Sequence, residues 1–327
     1  MIAPARPHFG PPPGGARTPS LSALGLVWEP IGHTSVGSGA VVWLRVAPAA
    51  NDVRLARAAR ALKIGETGSV PLLEVDNGEA FAVLLHGSMV VSGGLQTRTI
   101  ERSVVVPPAS KTLVPVRCVE AGRWSPRDRA TAARFAISDR MSMKARTRLN
   151  KMKTTTFSQR GSYTTDQRAV WDTVQTELRE SHVTSRTRSY DAYLDGVRKG
   201  RRDAAEQSRI RPPPEANGVV LLPRAGGHWL EAFPAPEALA AETTSLLSDL
   251  LETPEEAARS DARARDTAGD AVRLLHRLWS LPLMRVDPVK GAVGETYALD
   301  APEGAGEIVI VASRLAHVAV GAEAGGG

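Results

Sequence analysis

Six polar or aromatic residues crowd into one stretch between Gly93 and Trp124: Gln96, Arg98, Cys118, Glu120, Arg123 and Trp124. Their side chains define the chemistry that could occur there. Two arginines can hold phosphate through charge-assisted hydrogen bonds. A buried glutamine amide must find partners and can orient a polar ligand edge. Trp124 offers a face for stacking, and Glu120 is the candidate general acid or base. Cys118 has no histidine near it in sequence, so it reads as a small buried hydrophobe and not as a nucleophile. A second, weaker candidate pair is Gln167 and Trp171, one helical turn apart.

The familiar motifs are missing. Seven histidines and a single cysteine show no metal-ligand spacing, so no metal is expected. Gly93-Gly94 lacks the further glycines of a dinucleotide loop, and neither a phosphate-binding Gly-x-x-x-x-Gly-Lys loop nor a Gly-x-Ser-x-Gly elbow occurs. No cofactor is implied. With no motif to name a reaction, whether the chain is an enzyme stays open at this point.

The elements that must position these residues are two β-branched runs, Thr99–Val106 and Thr112–Val119, flanking Pro107-Pro108-Ala109-Ser110-Lys111. This pattern predicts a hairpin. A turn centred near Ala109 sets Arg98 opposite Glu120 and Ile100 opposite Cys118. Side chains alternate along a strand, so Gln96, Arg98, Cys118 and Glu120 share one face in that register, with Trp124 as a roof. The competing reading is an ordinary cross-strand Arg98–Glu120 ion pair, worth about 0 to 1 kcal/mol if exposed.

Upstream, Gly39–Ala47 reads as a strand and Val53–Leu62 as a short arginine-rich helix. Val70–Val75 and Ala80–Leu85 read as a hairpin around Asp76-Asn77-Gly78. Residues 125–211 form a basic block with about twice as many Lys and Arg as Asp and Glu. Within it, Arg140–Lys153 carries little apolar periodicity and reads as a loop or an exposed segment. Thr164-x-x-Gln167 reads as a capping box opening a helix with Val170, Trp171, Val174 and Leu178 on one face. A further helix covers Ser189–Gln207. The last third offers strands at Gly218–Leu222, His228–Phe233, Glu307–Val311 and Leu315–Val320, one helix from Pro236 and another from about Glu255 or Asp266 to Trp279. His228 and His317 lie in apolar strands and read as satisfied structural histidines.

The fold class expected is α+β. It has a mainly antiparallel sheet in the N-terminal part (23–124), a helical basic middle segment (125–211) and an α+β part (212–320), all in one domain. Proline and glycine density predicts disordered tails over 1–22 and 321–327.

Composition narrows the setting. Charged residues at 23% and hydrophobic residues at 42% suit a soluble globular chain, and no apolar run is long enough to span a bilayer. One cysteine among 327 residues excludes an internal disulfide and suits a reducing, cytoplasmic compartment. A net charge of +6 permits nucleic-acid contact without demanding it. Oligomeric state is not encoded in any pattern found.

One family resemblance emerges from these residues. Gly94-Leu95-Gln96-Thr97-Arg98, Val106-Pro107-Pro108 and Val114-Pro115-Val116-Arg117-Cys118-Val119-Glu120-Ala121-Gly122-Arg123-Trp124 together resemble the signature of the ARPP-1 domain. The name stands for ARG and rhodanese-phosphatase-superfamily-associated protein, ARG being ADP-ribosylglycohydrolase. Supporting matches are Ala61-Leu62-Lys63-Ile64-Gly65-Glu66, Gln167-x-x-Val170-Trp171 and the strand around His317, so the resemblance covers roughly 23–320. The chain departs from the pattern at Thr97, where relatives carry Asn, and at Ser88, where they carry Glu. The family's name implies an ADP-ribose- or nucleotide-linked pathway, including conflict or defence systems, but brings no catalytic residues. Three functions follow as expectations. The first is binding of a nucleotide-derived, ADP-ribose-like ligand at Gln96, Arg98, Cys118, Glu120, Arg123, Trp124, Gln167 and Trp171. The second is hydrolysis of such a ligand by Glu120. The third is a protein or nucleic-acid interaction module built on the basic middle segment.

Overall fold

The computed structural model describes residues 19–37, 39–125, 134–224, 226–251 and 267–324. Most of the expected N-terminal tail therefore lies outside the described residues, as does the helix start expected between 255 and 266. The first third contributes β1 (Val27–Val36), β2 (Gly39–Ala47), β3 (Val53–Leu55), β4 (Leu62–Glu66) and β5 (Leu72–Asn77). It continues with β6 (Ala82–Leu85), β7 (Met89–Gly93), β8 (Arg98–Ile100), β9 (Val104–Val106) and β10 (Ser110–Cys118). The middle holds β11 (Phe135–Arg140), α1 (Met143–Arg160), α2 (Gln167–Glu180), α3 (Tyr190–Tyr193) and α4 (Lys199–Gln207). The last third adds β12 (Gly218–Leu222), β13 (His228–Ala232), α5 (Pro236–Leu247), α6 (Thr267–Trp279), β14 (Met284–Val286), β15 (Glu295–Ala301), β16 (Gly304–Val311) and β17 (Arg314–Ala322).

These strands form three sheets, ordered β1-β2-β12-β13-β17-β16-β15-β14, β11-β7-β8-β10-β5-β4 and β3-β6-β9. The protein is α+β, and every strand pair except β3 with β6 is antiparallel. The eight-stranded sheet is buried on both faces, and its sequences show why. Val41, Trp43, Val219 and Leu221 point into one apolar cluster with Leu239, Leu246 and Leu247 of α5. Their neighbours Val42, Leu44, Val220 and Leu222 point into another with Leu274, Leu275 and Leu278 of α6. Strands buried on both faces read as continuous apolar runs, which is the pattern of Gly39–Ala47 and Gly218–Leu222. The six-stranded sheet curls until Phe135 of β11 and Ile64 of β4 share a core with Val75, Val91, Val114 and Val116. Its other side carries α1 and α2 through Val90, Val119, Leu149, Val170, Val174 and Tyr190.

Four local expectations are corrected. Val53–Leu62 keeps only a 3-10 turn at Ala56–Ala58 of the expected helix: Val53 and Leu55 are buried while Arg54 is exposed, and β3 pairs in parallel with β6. Tertiary pairing outweighs the weak local helix propensity there. Asp76-Asn77-Gly78 is no hairpin turn either, because β5 pairs with β4 and β10, while β6 pairs with β3 and β9. Asn77 is instead a buried clip whose amide donates to the carbonyls of Phe81, Val106 and Pro107 at 3.0, 3.2 and 2.8 Å. Arg140–Lys153 is not an exposed segment: β11 ends at Arg140 and α1 begins at Met143 under a Ser142 cap. The helix lacks an apolar stripe because Arg146, Asn150 and Lys153 are among the residues it buries, beside Ala145 and Leu149. The cap of α2 is Asp166, which accepts from the amides of Arg168 and Ala169; Thr164 bonds Glu101 instead. The helix expected over Ser189–Gln207 is present, but five residues from Leu194 to Arg198 open into a π-turn between α3 and α4. Such widenings concentrate at functional sites.

A buried latch beside a polar cleft

The opening stretch is not one hairpin. The first run breaks at Arg102: β8 pairs with β10, whereas β9 crosses to β6. Arg98 faces Cys118 and Ile100 faces Val116, two residues away from the expected register. A shift of two keeps side chains on their original faces, but it ends the Arg98–Glu120 pairing. Arg98 instead donates to the Val70 carbonyl and to Cys118 Sγ at 3.2 Å, with Glu66 3.6 Å away. Glu120, just past the end of β10, accepts from the Thr97 amide (3.1 Å), Arg123 Nε (2.9 Å) and Thr187 Oγ1 (2.8 Å). Burial alone would raise its pKa, but those donors, Arg123 foremost, hold the carboxyl below the usual range.

The remaining expected site residues complete a latch between this sheet and the helices. Gln96 donates to the Glu120 carbonyl at 2.8 Å. Gln167 accepts from the Cys118 amide (3.0 Å) and donates to its carbonyl (2.8 Å), so α2 is fastened to β10 as though by one more strand residue. Arg123 reaches the carbonyls of Gly94 and Ser125 at 2.9 and 2.7 Å. Trp171 is half-buried on α2. Trp124 does not roof the cluster; it is 58% exposed. Gln96, Arg98, Cys118 and Glu120 are all at most 1% exposed, and burial pushes the Cys118 thiol upward. Most of the donors and acceptors of these four residues are satisfied inside the fold; only Gln96 Oε1 and Arg98 Nε are buried without a hydrogen-bond partner among the described residues.

A second charged assembly escaped the sequence reading. Arg140 at the end of β11 grips Glu231 of β13 with two nitrogens, at 3.1 and 2.5 Å. Arg146 of α1 bridges Glu231 (2.8 Å) and Asp249 (2.7 Å), and Arg198 of the π-turn also bonds Asp249. Arg57 and Arg140 flank Glu242 of α5. Opposite charges this close hold Glu231, Glu242, Asp249 and Asp139 below the usual carboxylate range against the opposing effect of burial. Its sequence signal was a charged residue interrupting an apolar strand, as in Trp229-Leu230-Glu231-Ala232 and Leu315-Ala316-His317-Val318.

Within this assembly Ser103, His317 and Glu231 line up like a catalytic triad. Ser103 Oγ lies 2.9 Å from His317 Nδ1, and His317 Nε2 lies 3.2 Å from Glu231. Two features argue against nucleophilic chemistry. Ser103 Oγ already donates to Glu307 at 2.6 Å and accepts from the Gly87 amide at 2.8 Å. All three residues are 2% exposed or less, so no acyl group can approach. The arrangement holds sheets together. Among the described residues no group of three or more His, Cys, Asp or Glu is placed to hold a metal, and no helix is long and apolar enough to cross a membrane.

The latch and the charged assembly meet at a polar cleft of about 490 Å³ lined by Ser92, Ser138, Asp139, Asp191, Lys199 and Arg202, among others. Asp191 is held by the hydroxyls of Ser92 (2.7 Å) and Thr97 (2.6 Å). Asp139 accepts from Ser245 (2.7 Å) and Arg202 (3.1 Å), and Arg198 leads the contacts that keep it ionised. The π-turn supplies Asp195 to the rim as Arg198 turns inward. Both floor carboxylates are buried and fixed, one by the opening stretch and one by the charged core. None of the residues expected as a site lines this cleft.

The family comparison agrees with the stretch that carries the latch. The model of the ARPP-1 family, described as ARG and Rhodanese-Phosphatase-superfamily-associated Protein domain, matches residues 40–320. No curated protein and no solved structure matches the chain significantly. The match takes in strands of all three sheets, the latch and the cleft, with β1 outside it, and the chain belongs to the ARPP-1 domain family.

Proposed function

We propose that this chain is a ligand-binding member of the family that takes a nucleotide-derived, ADP-ribose-like molecule in the polar cleft. The observation that carries the reading is the cleft floor, where Asp139 and Asp191 are buried and held by hydroxyl and guanidinium donors beside the hydroxyls of Ser92 and Ser138. Carboxylates fixed in this way accept from ribose hydroxyls, as acidic residues do in dinucleotide folds. The volume suits a small ligand. The phosphate-holding part expected of Arg98 and Arg123 passes to Lys199 and Arg202, because the first two are buried inside the fold whereas Arg202 is 42% exposed and spends one nitrogen on Asp139. Asp195, Asp203 and Glu206 make the rim acidic, so the ribose end enters and additional phosphates are disfavoured.

Hydrolysis by Glu120 is not the reading the geometry supports, since both its oxygens accept from groups of the latch. Titration calorimetry with ADP-ribose, ribose 5-phosphate, AMP and ATP tests the proposal. ADP-ribose binds more tightly than ATP, and Lys199→Ala weakens binding at least tenfold without lowering the melting temperature. Absence of binding by all four at millimolar concentration overturns it.

A further inference from the structure

The two buried arginines of the family stretch do more than neutralise carboxylates, because each fastens a loop that bears an exposed apolar residue. Arg98 donates to the Val70 carbonyl, and its partner Glu66 accepts from the Leu95 amide at 3.0 Å. One nitrogen of Arg123 serves the carbonyls of both Gly94 and Ser125, which adjoin Leu95 and Trp124. Gly94 has φ +51°, and a Cβ there would sit 2.2 Å from Phe135, so this loop has one available path. Val70, Leu95 and Trp124 are 45, 39 and 58% exposed, which makes them three of the most exposed large apolar side chains described. Apolar side chains held outward on fixed loops can act as anchors for a partner, an exposed tryptophan above all.

The charge around them selects the partner. The Arg134 carbonyl accepts from the Gly94 amide at 3.2 Å, and the Thr187 carbonyl accepts from Gly122 at 2.9 Å. These bonds set the backbone at Arg134 and at 186–188 against the loops that carry Leu95 and Trp124; all three arginines are exposed, none has an ion-pair partner among the described residues, and Arg134 also lines a groove with Lys63, Glu74 and Asp76. We infer that Val70, Leu95 and Trp124, framed by Arg134, Arg186 and Arg188, form a docking surface for a protein segment that offers apolar anchors flanked by acidic residues. Two aliphatic members in the patch favour a protein over nucleic acid, which would stack on aromatic faces in series. The surface is separate from the polar cleft, so either assignment can fail alone.

Panning a random-peptide display library against the full chain tests the inference. The expected result is a consensus with an aromatic or aliphatic anchor next to Asp or Glu. The consensus peptide should protect Trp124 fluorescence from acrylamide, lose at least tenfold in affinity on Trp124→Ala or Leu95→Ser, and weaken on Arg186→Glu with Arg188→Glu and in raised salt. These residues are exposed, so unchanged melting temperatures separate lost docking from lost folding. Four results overturn the inference. They are failure to enrich any peptide, a consensus indifferent to Trp124→Ala, competition by an oligo-dT strand, and concentration-dependent self-association that Trp124→Ala abolishes.

Discussion

Glu120→Gln separates a structural latch from a catalytic carboxylate. The amide can keep the shape: its oxygen still accepts from Thr97 and Arg123, and its nitrogen can donate to Thr187 Oγ1. What disappears is the charge opposite Arg123, a side chain only 9% exposed whose remaining partners are the carbonyls of Gly93, Gly94 and Ser125. Removing one member of a buried pair costs about 3–5 kcal/mol. The surviving carbonyls place Glu120→Gln at the lower end, about 3 kcal/mol. The control is Glu29→Gln, whose partner Arg45 is 55% exposed and whose own side chain is 50% exposed, with an expected cost of about 0–1 kcal/mol. Urea unfolding at pH 7 reads both, and the midpoint should move for Glu120→Gln with the slope unchanged. Because the Glu120 pKa is depressed in the fold, its contribution is present above the unfolded pKa and is lost as pH falls through the folded one. The gap between wild type and variant therefore narrows as pH drops from 7 towards 3. A loss no larger than that of Glu29→Gln, or a gap independent of pH, refutes the latch.

Three further outcomes follow from the same geometry. Thr97→Val removes the hydroxyl that donates to Asp191 at 2.6 Å, and should cost about 1–3 kcal/mol in thermal or urea unfolding while weakening ADP-ribose binding by calorimetry. Cys118, 1% exposed and with its thiol pKa raised by burial, should react with a disulfide reagent only as the chain unfolds, so its labelling rate should track urea concentration. His86 is buried, and burial followed by Arg140 lowers its pKa from the ordinary 6.5. Its unfolded form takes up protons first, so stability is lost as pH falls below about 6.5, and His86→Asn should flatten that part of the stability profile.

Much of the scaffold was legible because apolar strands buried on both faces announce themselves. Gly39–Ala47 and Gly218–Leu222 coincide with β2 and β12. The latch, not the cleft, was legible, and as a place rather than a geometry. Five of the six residues singled out in that stretch are buried together and Trp124 stays exposed, but the Arg102 break and a two-residue register shift hand Glu120 to Arg123 and Arg98 to Glu66. Register depends on which sheet claims each half of the run, and that is a long-range choice. The charged core was hidden for a related reason. A helix such as α1 that buries Arg146 and Lys153 carries no apolar stripe, and its partners Glu231 and Asp249 lie some hundred positions away in the chain. The cleft shares that property: Ser92, Asp139 and Asp191 come together only after folding.

Hydrogen–deuterium exchange with and without ADP-ribose bears most directly on the claim that the family stretch builds the site while the cleft receives the ligand. The account predicts slowed exchange at 136–140 and 190–206, the strand and helices that line the cleft, with 94–98 and 118–124 unchanged. Protection confined to 94–98 and 118–124, or none anywhere at saturating ligand, contradicts it.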